Sequence, residues 1–451
     1  MKVRNLLLGS LAVAGLATTG AYAADLGVLT SLDVCDNLGL SGLTISSDTN
    51  CLQITGEVKY KFIWGDYSTT PIDTFTMAGT KTYFGGNDSN DWDSRFDAWI
   101  KFVATSESDF GPAKAVLKLK QVSHSVTTDE GTVSTASLVG SSDTGGVVLD
   151  EAYVSIGDST VIMAGKKGSI MNKGDDEPLN WLGLYNSEKV DAGVSWGPGV
   201  NLPDGGHVIQ VTSDLGNGLS VSAGLENLNG SNNAGTSTQL DDAGAAGTAV
   251  GVLSYKGDGI AAHVTFAAGG VLDGTIEDWG VHAGFAGTFD NFQVVLAGAY
   301  GHNDNYTLSS PDNIEDYWNV LASAAATFDM FTLAASFEAA DDGVNTDYGV
   351  GASAKFAVSD GVTLNLGGRY YYDEANTADN YQLAASVSAD VTETITLTGE
   401  VGYYNDDVSD LFYGSAKLDW APGGGYTSSV KGTITSEDGY KIESEFKKTF
   451  E

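Results

Sequence analysis

The feature that most constrains this chain is a strict two-residue alternation. Between Leu52 and Phe62, the residues Leu52, Ile54, Val58, Tyr60 and Phe62 share one parity, and Gln53, Thr55, Glu57, Lys59 and Lys61 share the other. Successive side chains of a strand point to opposite faces, whereas a helix would scatter this set around its circumference. The pattern therefore dictates a strand with one apolar and one polar face. It recurs in altered form to the last residues. Phe96, Ala98, Ile100 and Phe102 alternate with Arg95, Asp97 and Lys101, and Ala115, Leu117 and Leu119 alternate with Lys114, Lys118 and Lys120.

Turn residues separate these runs. They occur at Ser108 to Pro112, Gly157-Asp158, Gly216-Asn217-Gly218, Gly257-Asp258-Gly259, Asp290-Asn291, Asp329-Met330, Ser359-Asp360-Gly361, Val391 to Glu393 and Pro422 to Gly425. Short turns alternate with longer polar stretches, the asymmetry of a transmembrane antiparallel β-barrel with tight turns at one rim and loops at the other. Turn counting gives an even number of strands, between about 16 and 20. One barrel uses residues 51–451, and no Pro- or Ser-rich linker marks a second domain. Aromatic clusters near strand ends (Tyr370, Tyr371 and Tyr372; Tyr403 and Tyr404; Phe412 and Tyr413; Trp318; Trp420) suit interfacial girdles. Ordinary soluble strands also favour aromatics, so these alone decide little.

The first residues read as an address. Lys2 and Arg4 form a positive n-region, Leu6 to Leu16 an apolar h-region, and Ala21-Tyr22-Ala23 a cleavage pattern, which makes residues 1–23 a signal peptide. No later run approaches the ~18 to 20 apolar residues of a spanning helix, a test that barrels escape because each strand shows lipid only half its residues. Residues 24–50 form a lead segment. Cys35 and Cys51 are the chain's two cysteines, and in an exported protein such a pair reads as a disulfide tying this lead to the first strand. The five histidines are scattered and none flanks a cysteine, which disfavours a metal site.

The formal charge is −37. So acidic a chain is unsuited to nucleic acid or to a basic lipid-binding patch. Its acids concentrate between strands, as at Asp88, Asp91 and Asp93, at Asp341 and Asp342, and at Asp406, Asp407 and Asp410. Such runs are solvated loops, or else carboxylates that divalent cations bridge to lipopolysaccharide phosphates, or a mouth that concentrates cations. Signals of catalysis are weak. There is no H-E-x-x-H, G-x-S-x-G, P-loop or EF-hand, and Gly349-x-Gly351-x-x-Ala354 lies in an alternating strand with no helix after it. No cofactor is implied.

Val34-Cys35-Asp36, then Cys51-Leu52-Gln53-Ile54-Thr55-Gly56-Glu57-Val58, resembles the mature N-terminus of alphaproteobacterial porins. Glu151 to Gly157 leading to Ala164-Gly165-Lys166 is similar to the strand pair before that family's constriction loop. The resemblance implies an outer-membrane general diffusion porin of a Gram-negative bacterium, a 16-stranded barrel that is usually trimeric, with one loop folded into the lumen. Two departures stand out. The turn count exceeds 16 strands, and the chain ends Phe450-Glu451 where such barrels finish on an aromatic.

If Gly168 to Tyr185 is the inward loop, it brings Asp175, Asp176 and Glu177 into the lumen, opposite Lys59, Lys61, Arg95, Lys101, Lys114, Lys118, Lys120 and Lys166 on the polar parity. Opposed carboxylates and cations across a narrow pore make a transverse field that favours hydrophilic solutes and ions. The lysines could instead pair with neighbouring acids, such as Lys59 with Glu57, and merely hold the wall. A solute-selective channel and a plugged structural or adhesive barrel are the alternatives. The latter requires long loops such as 127–146 or 227–249 to fill the lumen.

Overall fold

The computed structural model describes residues 32–67, 90–127, 133–135, 146–171, 178–181, 194, 196, 202, 204–229, 246–272, 274–276, 278–303, 316–405, 410–436 and 438–451. A six-residue helix, α1 (Leu32–Asn37), and a short strand, β1 (Thr44–Ser46), precede β2 (Asn50–Tyr67). β3 (Asn90–Ser106) and β4 (Ala113–Thr127) follow, and β5 (Val133–Thr135) folds back on the end of β4. Next come β6 (Val148–Gly157), β7 (Thr160–Lys167), β8 (Gly206–Gly216) and β9 (Leu219–Glu226). β10 (Thr248–Gly257), β11 (Ile260–Gly269), β12 (Asp278–Phe289), β13 (Phe292–Asn303), β14 (Asp316–Phe328) and β15 (Phe331–Asp341) continue the wall. β16 (Thr346–Ser359), β17 (Val362–Asp373), β18 (Ala378–Thr392), β19 (Ile395–Asn405), β20 (Asp410–Gly423), β21 (Tyr426–Thr435) and β22 (Tyr440–Phe450) complete it.

Each wall strand is antiparallel to its sequence neighbour, with β4 pairing β6 directly. β22 closes on β2 from Gly56↔Phe450 to Asp66↔Tyr440. With the short β1 and β5 as appendages, the closed wall has 20 strands. The 16 implied by family resemblance is therefore corrected, and the upper turn count is right. Every turn signal named above joins two strands. The reason is local: Asn217 and Gly218 (φ 54° and 79°) and Asp258 and Gly259 (φ 50° and 76°) adopt the left-handed conformations that two-residue hairpins need.

The apolar parity forms a continuous outer face. Val58, Leu117, Val154, Ile162, Leu253, Val320, Leu333, Leu383, Val401 and Phe446 are all exposed on it. Aromatics bound this surface in two bands. Near the short turns, Phe292, Phe328, Phe331 and Phe356 touch in series. Toward the long connections lie Trp279 against Tyr300, Tyr348 against Tyr372, Tyr370 against Tyr381 and Tyr403 against Phe412. Trp318 and Phe328 stand ten residues apart on β14, which at ~3.4 Å per residue and a tilt of about 40° puts the bands ~25 Å apart, the height of an outer-membrane barrel's apolar belt. The aromatic clusters divide by parity. Tyr370, Tyr372, Tyr403 and Phe412 face out, while Tyr371 and Tyr404 are buried on the inner face.

At the short-turn end, β1 pairs with the start of β2, and Cys35 of α1 is disulfide-bonded to Cys51 of β2. Both cysteines are buried. Twenty strands about 4.8 Å apart at such a tilt enclose a wall roughly 40 Å across, too wide for side chains alone to fill. Described residues between β7 and β8 lie within it.

Candidate pore and its inward segment

Of the β7–β8 connection, residues 168–205, the described residues 168–171, 178–181, 194, 196, 202, 204 and 205 lie against the inner face. Its described parts anchor to strands far away in sequence. The Leu179 amide donates to Ser323 Oγ of β14 (2.8 Å) and the Trp181 amide to Ser353 Oγ of β16 (2.9 Å). His282 Nε2 of β12 lies 2.8 Å from the Val194 carbonyl oxygen, and His263 Nε2 of β11 lies 2.9 Å from His282 Nδ1. Two apolar clusters support these contacts. Trp196 and Leu202 pack with Val250, Val252 and Ala267, and Val194 packs with Val295, Ala297, Ala299 and Leu321.

Small wall residues make this close approach possible. A Cβ on Gly280 would fall 2.8 Å from the Trp196 ring, and one on Gly351 would fall 2.8 Å from Asn180 Nδ2. The inner face beneath the segment is also rich in alanine and serine, including Ala267, Ala297, Ala299, Ser323, Ala334 and Ser336, all buried. The segment was read from sequence as ending at Tyr185. Beyond that point Val194, Trp196 and Leu202 are seated on β10 to β14 as well. Asp175, Asp176 and Glu177 lie outside the described residues.

The described residues of the segment touch strands along the arc from β8 to β16. The opposite inner wall, from β20 through the β22–β2 seam to β6, is charged and half-exposed. Lys59 pairs with Glu445 (3.1 Å) and Lys61 with Glu443 (3.1 Å), both across the seam. Lys441 also meets Glu443 (3.0 Å). Lys101 pairs with Glu151 (3.0 Å), Lys118 with Asp150 (2.7 Å), Arg95 with Asp97 (3.0 Å) and Lys417 with Asp419 (2.8 Å). The Lys118 ammonium also sits 5.3 Å from the Trp99 ring centroid. The partner expected for Lys59, Glu57, is replaced by Glu445. Lys59 directly faces Lys447 across the seam, and Glu445 is its diagonal neighbour there.

Lys114 and Lys120 share the parity of buried Val116 and make no ion pair among the described residues. Lys166 does not belong to this inner row. It pairs in register with Ala152, which faces exposed Leu117, so it stands on the outer face, where its ammonium donates to the Leu149 carbonyl. The inward lysine is its neighbour Lys167, 4.9 Å from the Tyr153 ring centroid. Sequence reasoning missed Lys167, Lys417, Lys431, Lys441 and Lys447. Barrel closure brings the last four beside the first strands, which no local pattern announces.

A family model described as the Porin subfamily matches residues 31–433. Among solved structures, a mutant porin of Rh. blastica is 12% identical over 88% of this chain and 100% of its own, at a TM-score of 0.36. The Pseudomonas aeruginosa OccK5 (OpdH) crystal structure is 9% identical over 88% of this chain and 98% of its own, at a TM-score of 0.45. No curated protein matches the chain. With a closed 20-stranded barrel, an apolar belt between aromatic bands, a polar interior and a family match spanning most of its length, the chain belongs to the porins, outer-membrane channels for the diffusion of solutes.

Proposed function

We propose that this porin is a general diffusion channel whose permeation path runs between the charged arc and the inward segment, passing small hydrophilic solutes and ions. The ion-paired arc opposite the wall that the segment covers carries this reading. Lys59, Lys61, Arg95, Lys101, Lys114, Lys118 and Lys120 supply positive charge on one side of the path. Asp175, Asp176 and Glu177 of the segment supply negative charge from the other, and the resulting field orients polar solutes and rejects apolar ones that cannot replace lost water. Ion pairs in a wet lumen contribute only about 0 to 1 kcal/mol each to stability, so their placement serves permeation at little cost to the fold.

Further readings attach to this one. Residues 1–23 are removed on export, and residues 24–50 form the lead that the disulfide holds at the periplasmic rim. The channel assembles as a homotrimer, and its loop carboxylates meet lipopolysaccharide through divalent cations. The test is single-channel conductance in a planar bilayer, with the reversal potential recorded in a salt gradient. Large ohmic steps grouped in threes are expected. Changing Asp175, Asp176 and Glu177 together to Asn, Asn and Gln should move the reversal potential toward anion preference, and changing Lys59, Lys61, Lys101 and Lys118 to Gln should move it the other way. A folded barrel with no conductance would overturn the channel reading, and an unmoved potential in both variants would overturn the transverse field.

A further inference from the structure

Glu226, the last residue of β9, is fully buried on the inner face, yet no wall lysine or arginine pairs with it among the described residues. Its carboxylate meets both roots of the inward segment. Oε1 accepts from the Ile170 amide (3.0 Å), two residues after the segment leaves the wall, and Oε2 accepts from the Gly205 amide (2.9 Å), where the segment returns. Gln210 Nε2 of β8 reaches Oε1 (2.7 Å) and also the Gly168 carbonyl (3.1 Å), so the side chain that orients the carboxylate holds the segment's first residue too. The Asn227 amide then donates to the Gly205 carbonyl (2.7 Å), which fixes the returning root from its other side.

From this geometry we infer that Glu226 is the positioning residue of the constriction: one carboxylate clamps both ends of the inward segment to the wall and thereby sets the free cross-section of the pore. This inference rests on the channel reading above. The β7–β8 ladder already holds the segment's ends side by side at Lys167↔Gly206, and the Glu226 bonds add the direction in which the chain leaves and rejoins the wall, ahead of the distal anchors at Ser323, Ser353 and His282. Backbone amides bonded to a charged acceptor make stronger bonds than neutral pairs, and burial keeps water from competing for them. Both roots of the segment are accordingly fixed to the wall. Its Trp196 seat over Gly280 is an independent support at the far side.

Glu226→Ala removes both acceptors. Glu226→Gln keeps one and turns an amide toward the other N–H, and Gly280→Val leaves the clamp intact but evicts Trp196. The measurements are single-channel conductance and the swelling of proteoliposomes in sugars of increasing size. Heat-modifiable gel mobility reports barrel integrity, and limited proteolysis reports loop exposure. Glu226→Ala is expected to raise conductance on the order of twofold, admit larger sugars and open the 168–205 segment to protease while the barrel band stays. Glu226→Gln should fall between it and the parent. A folded Glu226→Ala barrel with unchanged conductance, sugar limit and cleavage overturns the inference. If Glu226→Ala does not fold, Glu226→Gln carries the test, and parental values in it overturn the inference equally. Gly280→Val changing the sugar limit while Glu226→Gln does not would assign the positioning to the Trp196 seat instead. A parent protein that forms no channel defeats the functional reading but leaves proteolysis to judge the clamp.

Discussion

Phe450 and Gly56 meet where the barrel closes. They are direct cross-strand partners, and the Phe450 ring covers the glycine so closely that a Cβ there would lie 2.3 Å from Cζ and 2.8 Å from the Trp99 carbonyl oxygen. Gly56→Val must displace the ring or part the seam, and overpacking of this kind costs about 1–3 kcal/mol. A lower heat-unfolding temperature of the barrel band on gels is expected, larger than the drop from a Val at Gly432, where a Cβ meets nothing within 4 Å. Single residues were legible in sequence where parity is unambiguous. Lys59 and Lys61 sit amid clean alternation, opposite in parity to exposed Val58 and Tyr60. Lys166 and Lys167 are consecutive at a strand end, so one must face each way, and only the register with Ala152 and Tyr153 tells which.

At the scale of elements, local chemistry was readable and distant chemistry was not. The tight turns were found because a two-residue hairpin demands particular backbone angles from its own residues. The extent of the inward segment was misjudged because the seats of its later residues lie far along the chain: Val194 is 88 residues from His282, and Trp196 packs on Val250, Val252 and Ala267. The disulfide is a third case, announced by the chain's two cysteines and found between α1 and β2, beside the β1–β2 pairing. The disulfide spans 16 positions, and closing a loop of about that size is worth roughly 3 kcal/mol in the chain-entropy model. The double replacement Cys35→Ser and Cys51→Ser should lower the denaturant midpoint of the purified barrel, with channel conductance unchanged because the bridge lies at the short-turn rim. An unaltered midpoint would mean that the β1–β2 pairing holds the lead without it.

For the whole molecule, closure rearranges the meaning of the sequence. The chain is acidic overall, yet many of its described basic residues, among them Lys59, Lys61, Lys101, Lys118, Lys417 and Lys441, share one inner arc because β20 to β22 return beside β2 to β4. An ion in the pore therefore meets a local field that the net charge does not describe. Fields from partly hydrated wall groups are screened over ~10 Å at 0.1 M salt and ~3 Å at 1 M. Ion selectivity measured by reversal potential should accordingly be marked near 0.1 M and shrink toward the bulk mobility ratio near 1 M. Selectivity that persists at high salt would place the discriminating charges in direct contact with the ion.

The seam has a temporal side as well. β2 can find only one of its two wall neighbours, β3, early in synthesis, and its other edge waits for β22, nearly the whole chain later. Pairings of such long sequence separation form late and slowly. Until then the edge from Gly56 to Asp66 is open to wrong partners. A nascent chain of this kind has to be kept from pairing with its neighbours from the moment its first strand appears until its last one arrives.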